Sequence, residues 1–176
     1  MTSPCSWRRL RTCCCGTLAA VVAACATGNA GARGRETLTS ADSVAAARGA
    51  EAAVRERFFG ALARFDYAGL HGAVTPSFEL EEDSLRLAAD QFASLVRGFE
   101  GKAAITYRLD NFATQVAAAT SSRLVAWTSY RNHGTFTPAG GQAMPLEWLE
   151  TAVLVRDGTG SWRIDRLHST PIHSSR

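Results

Sequence analysis

Residues 144–169 read MPLEWLETAVLVRDGTGSWRIDRLHS, and this stretch decides the fold. Met144 to Arg156 is rich in residues that suit a pleated strand and is long enough for one extended strand. Asp157-Gly158-Thr159-Gly160 then reads as a hairpin, because Asp-Gly accepts the left-handed backbone of a tight turn. Ser161 to His168 returns as the partner strand, with Trp162 and Ile164 on one parity.

Working upstream, Pro138-Ala139-Gly140-Gly141 makes another turn, and Arg123 to Phe136 is a second long β-rich run. Before it, Ile105, Tyr107 and Leu109 alternate with Thr106, Arg108 and Asp110. The first half is helical instead. Asp42 is placed to cap a helix whose stripe is Val54, Phe58, Leu62 and Phe65. Asp66 caps a short second helix carrying Leu70 and Val74, stopped at Thr75-Pro76. Phe78–Leu80 faces Leu85–Leu87 in a short hairpin, with Glu82-Asp83-Ser84 as its turn. A third helix, Ala89 to Phe99, presents Phe92, Leu95, Val96 and Phe99. Three helices followed by long consecutive strands predict an α+β domain, its helices packed on one face of an antiparallel sheet.

At the other end, Arg8, Arg9 and Arg11 precede an uncharged stretch from Thr12 to Ala24. A basic segment, a short apolar segment and small residues make an export signal. At about 13 residues the stretch is shorter than the ~20 needed to span a bilayer as a helix. Its end, Val22-Ala23-Ala24-Cys25, resembles the lipobox of bacterial lipoproteins. That resemblance implies cleavage before Cys25 and lipidation of its thiol. Ala24-Cys25-Ala26 also reads as an ordinary A-x-A site, with cleavage after Ala26 and a secreted or periplasmic product. The expected organisation is a signal peptide over 1–24, a Gly/Ala/Ser-rich tether over 25–41 and one domain over 42–174. The expected location is the extracytoplasmic side of a bacterial cell envelope.

All five cysteines lie within the first 25 residues, so the domain must be stable without disulfides. Three of the nineteen basic residues precede Cys25 and all sixteen acidic residues follow it, which leaves the exported chain near neutral. A nucleic-acid partner calls for a basic excess on one face, and none is visible. Nucleophilic catalysis and phosphate cradling lack support: the domain has no cysteine, no G-x-S-x-G and no Gly-rich loop. No pair among His71, His133, His168 and His173 has metal-ligand spacing, so neither a metal nor a cofactor is expected.

Several elements together resemble the NTF2-like superfamily, close to its SnoaL-like and DUF4440-type members. They are Phe65-Asp66-Tyr67, Leu70, Thr75-Pro76-Ser77-Phe78, Glu150 to Val155, Asp157-Gly158, Trp162-Arg163-Ile164 and His168-Ser169. The resemblance covers about Ala50 to Ile172. It implies a cone, in which a strongly bent antiparallel sheet wraps a long helix and leaves a pocket at its open end. It also leaves the outer sheet face available to a second copy of the chain. Members include isomerases, cyclases, dehydratases and domains without activity, so the fold does not name the function.

Candidate pocket residues are the aromatics Tyr107, Trp127, Tyr130 and Trp148 together with His133 and His168. Trp127, Arg131 and His133 share one strand face. Trp162, Ile164, Arg166 and His168 share another, unless a bulge after Ile164 reverses the parity. Among the acids Glu79, Glu81, Glu82 and Asp83, Glu81 or Glu79 occupies the segment where the resemblance places a catalytic carboxylate.

Two functions of different class follow. One is a membrane-anchored domain that binds a small apolar molecule or a protein without catalysis. The other is a small-molecule isomerase, lyase or hydrolase using His168 or Glu81 as acid/base with Arg131 as charge stabiliser. A Glu or His deep in the pocket, within hydrogen-bond reach of a second polar group, favours the enzyme.

Overall fold

The computed structural model describes residues 38–158 and 160–172. The expected signal peptide, Cys25, most of the tether and His173 lie outside the described residues.

Helix α1 (Ser40–Ala52) starts one turn earlier than expected. Thr39 is its cap and accepts from the Asp42 amide at 3.1 Å, while Asp42 sits in the first turn, where a negative charge suits the helix N-terminus. The helix continues through a π-helical segment (Ala53–Phe59) into α2 (Gly60–Ala63). The wider π turn lets the adjacent residues Phe58 and Phe59 both be buried. Asp66 caps α3 (Tyr67–Ala73) by accepting from the Gly69 amide at 2.8 Å.

Strand β1 (Val74–Glu82) follows at once and turns back at Asp83-Ser84 onto β2 (Leu85–Ala88). After α4 (Ala89–Arg97) come the long strands β3 (Ala103–Thr120), β4 (Arg123–Pro138), β5 (Met144–Asp157) and β6 (Arg163–Pro171). They form one six-stranded sheet in the order β2-β1-β6-β5-β4-β3. After β2 and α4 the chain crosses to the opposite edge at β3 and meanders back until β6 lies beside β1. That pair is parallel, so the sheet is mixed rather than wholly antiparallel. Otherwise the architecture is the expected one, an α+β cone of helices on a curved sheet.

The core lies between the helices and the concave face. Its largest fully buried side chains include Tyr130, Phe58, Phe78, Leu154 and Ile164. Phe58 meets Phe59 edge-on at 5.2 Å and stacks on Phe92 at 6.0 Å. On β4, Ala126, Thr128, Tyr130 and Asn132 face this core, while Trp127 and Arg131 face outward.

One irregularity determines what reaches the pocket. Leu154 pairs with Ile164 but Val153 pairs with Arg166, so Asp165 is a bulge in β6. Asp165 Oδ1 accepts from the Thr75 hydroxyl at 2.6 Å and the Ser77 hydroxyl at 2.7 Å, which ties the bulge to β1. Partial burial would raise the Asp165 pKa, but these two hydroxyls and Arg166 hold it below the ordinary carboxylate value. Beyond the bulge the parity reverses. Trp162 and Ile164 are buried before it, Leu167 and Ser169 after it, and His168 is turned out to solvent.

Candidate functional site

A cavity of about 100 Å³ opens between the helices and the concave sheet. The π segment contributes Phe58 and Phe59, α2 contributes Leu62 and α4 contributes Phe92. The strands add Leu80, Leu167, Tyr107 and Trp148 to these apolar walls. Four polar residues interrupt them: Glu82, Asn132, Glu150 and Ser169.

Glu150 is the centre of the polar group. It lies on β5 opposite Tyr130 of β4 and Ser169 of β6, and is only 5% exposed. Its Oε1 accepts from Asn132 Nδ2 at 3.3 Å and from the Ser169 hydroxyl at 3.2 Å. Its Oε2 has no partner among the described residues, nor have Asn132 Oδ1 and Tyr130 Oη. Buried polar atoms are ordinarily paired, so three orphans around one cavity are unusual. Burial pushes the Glu150 pKa up to about 7, and the charge of Glu82 adds to the rise. The polar groups of Tyr130, Asn132 and Ser169 oppose this without cancelling it.

Glu82 ends β1 at the rim. Trp148 Nε1 donates to its Oε1 at 2.9 Å, which holds the indole across the mouth. Gly134 makes room for that ring: a Cβ there would lie 2.8 Å from Trp148 Cζ3. Burial, with the charges of Glu150 and Glu82, raises the Tyr107 pKa above that of a free phenol, and burial next to Glu150 raises that of Tyr130 as well. Both keep their protons at neutral pH. The arrangement therefore offers a carboxyl group able to exchange a proton near neutrality inside apolar walls.

The residues picked out in the sequence divide between the two faces. Tyr107 and Trp148 line the cavity, and Tyr130 lies buried behind its floor. Trp127, 62% exposed, is on the convex face, as are Arg131, His133 and His168. Glu81 also points away from the cavity and pairs with Arg86 at 2.6 Å. His133 is held between Glu147, 2.8 Å from Nδ1, and Asp110, 3.2 Å from Nε2, while Arg131 reaches Glu147 at 3.7 Å. His133 and Glu147 border a larger open groove of about 570 Å³ past the strand ends. The charged groups there are satisfied by one another, so the smaller cavity with its orphaned atoms is the candidate site. Among the described residues no three His, Cys, Asp or Glu side chains are arranged to hold a metal ion.

No protein-family model matches the chain, and no curated protein matches it. Solved structures do. A ketosteroid isomerase-like protein from Erwinia carotovora atroseptica superposes with a TM-score of 0.55 at 20% identity, covering 73% of this chain and 97% of that one. A conserved protein from Planctomyces limnophilus gives 0.62 at 18% identity over 73% and 98%. An NTF2-like protein of unknown function in nutrient uptake from Rhodospirillum rubrum gives 0.53 at 18% identity over 67% and 94%. The fold is NTF2-like.

Within this NTF2-like cone, Glu150, Asn132, Glu82 and Ser169 are the residues that sequence reasoning passed over. A signal for three of them was present. Glu150 shares parity with Ala152 and Leu154, Asn132 with Ala126 and Tyr130, and Glu82 with Phe78 and Leu80. A lone polar residue on the apolar parity of a strand is the mark of a placed group. Ser169 carried no such signal, because the bulge hides its parity.

Proposed function

We propose that the chain is a cell-envelope domain, lipid-anchored through Cys25, that takes a small and largely apolar molecule into its cone. The observation that supports this reading is the aromatic-walled cavity whose floor carries unpaired polar atoms. Ligand pockets combine apolar walls with a few placed polar groups in this way. The cavity is small. An apolar cavity of roughly 150 Å³ suffices for benzene, so the enclosed part of the ligand is of that order or less.

The test is an NMR titration of the ¹⁵N-labelled chain with benzene. The Trp148 indole N–H should shift with saturation, the exposed Trp127 indole should not, and Leu167→Trp, which fills the cavity, should abolish the effect. A Trp148 signal that stays fixed at saturating benzene, and also with isobutanol and isobutylammonium, refutes the reading.

The catalytic alternative has its own support, the buried Glu150 carboxyl with a pKa of about 7. In that reading Glu150 takes the acid/base role first considered for His168 or Glu81, in an isomerase, lyase or hydrolase. Glu150→Gln would then retain the ligand and lose turnover. The exposed Trp127 and Leu149 of the convex face support a second copy or another protein as a partner there.

A further inference from the structure

The chemistry of the cavity narrows the class of ligand, on the premise that the cavity is a binding pocket. Two carboxylates, Glu150 and Glu82, line it, and no Arg, Lys or His does so among the described residues. Of the three unpaired atoms around it, the Tyr130 hydroxyl can donate, and the other two are acceptors. Asn132 Oδ1 is one, because Nδ2 is the atom that faces Glu150; turning the amide over would set oxygen against oxygen. Glu150 Oε2 is the other when ionised. The walls bring together Phe58, Phe59, Phe92, Tyr107 and Trp148, and aromatic rings attract a cation. A carboxylate or phosphate would meet like charge. A neutral hydrocarbon would leave both acceptors unpaired.

We propose that the pocket takes a small organic ammonium ion, whose N–H groups donate to Glu150 Oε2 and Asn132 Oδ1 while its carbon skeleton lies against the aromatic walls. An alkyl ammonium is charged throughout the neutral range. It supplies several donors from one atom, which suits a pocket lined by the side chains of both Glu150 and Asn132. It also compensates the two carboxylates, so that Glu150 is ionised in the complex. Because the free Glu150 titrates at about 7, binding at pH 7 should release about half a proton.

The experiment uses the full chain and three probes that share one skeleton: isobutylammonium, isobutanol and isobutyrate. Affinities are read at pH 7 from the Trp148 indole shift, and proton release by calorimetry in buffers of different ionisation enthalpy. The ammonium should bind at least tenfold more tightly than the alcohol, with proton release, and the carboxylate should not bind. Glu150→Gln should remove most of that preference and the proton release. Glu82→Gln, at the rim and outside the core, should reduce the preference. Should the alcohol bind as tightly as the ammonium, or should both variants keep the full preference, the ammonium assignment is overturned while the pocket reading stands. Should none of the probes bind, and benzene also fail, both are overturned.

Discussion

Replacing Glu150 by Gln isolates the energetic consequence of burying an ionisable group. The carboxyl has its ordinary pKa of 4.5 in the unfolded chain and about 7 in the folded one. Below pH 4.5 the group is neutral in both states and contributes nothing to pH dependence. As pH rises from 4.5 to 7 the unfolded chain ionises first, so folding is progressively disfavoured, and above 7 the loss is constant. At about 1.36 kcal/mol per pH unit, the full effect is ~3 kcal/mol. Gln has the same shape and cannot ionise. Its oxygen can accept from Asn132 and Ser169 as Oε1 does now, while its NH₂ replaces the orphaned Oε2. Urea unfolding of both proteins at pH 4, 5, 6, 7 and 8 should therefore give similar stabilities at pH 4. By pH 8 Glu150→Gln should be ahead by ~3 kcal/mol. Comparing the two proteins cancels the contributions of Asp110 and Asp165, which titrate in both. Parallel stability curves would refute the argument, because they would mean Glu150 is as well solvated in the folded protein as in the unfolded chain.

Three further outcomes follow from the same structure. Trp162 is 4% exposed, and Trp162→Ala should destabilise the domain by ~3–5 kcal/mol; an unchanged denaturant midpoint would place the ring outside the core. Gly134→Ala should force Trp148 off the cavity mouth and cost ~1–3 kcal/mol; a preserved Trp148–Glu82 hydrogen bond in the variant's crystal structure would contradict this. Cys25→Ser should release the exported domain from membranes on fractionation; retention in the membrane fraction would argue against a lipid on Cys25.

The sequence was readable wherever periodicity and local punctuation agree. The β5–β6 hairpin follows from Asp157-Gly158, and the β1–β2 hairpin from the acidic turn before Leu85. Mixed pairing was not readable, since β1 meets β6 across some eighty residues and nothing local announces that neighbour. A 3.6-residue stripe selects Phe58 and excludes Phe59, while the observed helix widens to a π turn there. On β4 the grouping of Trp127, Arg131 and His133 on one face was correct. Which face lines the pocket was not decidable: both parities carry an aromatic and polar residues, and only packing against the helix tells Tyr130 and Asn132 from Trp127 and His133.

The β6 bulge shows why candidate sites are harder to read than folds. Parity is a running count, and one extra residue changes every later position. Asp165 is that residue, and what keeps it in place is remote: the hydroxyls of Thr75 and Ser77, on a strand that precedes it by some ninety residues. The effect on the site is large. Without the bulge, Arg166 and His168 would take the inward positions, and the Arg166 guanidinium would offset carboxylate charge in the pocket. With it, Leu167 and Ser169 enter, Ser169 donates to Glu150, and the pocket keeps two carboxylates without a compensating cation. The charge balance that the pocket offers a ligand thus depends on three hydrogen-bonding side chains that do not touch the cavity.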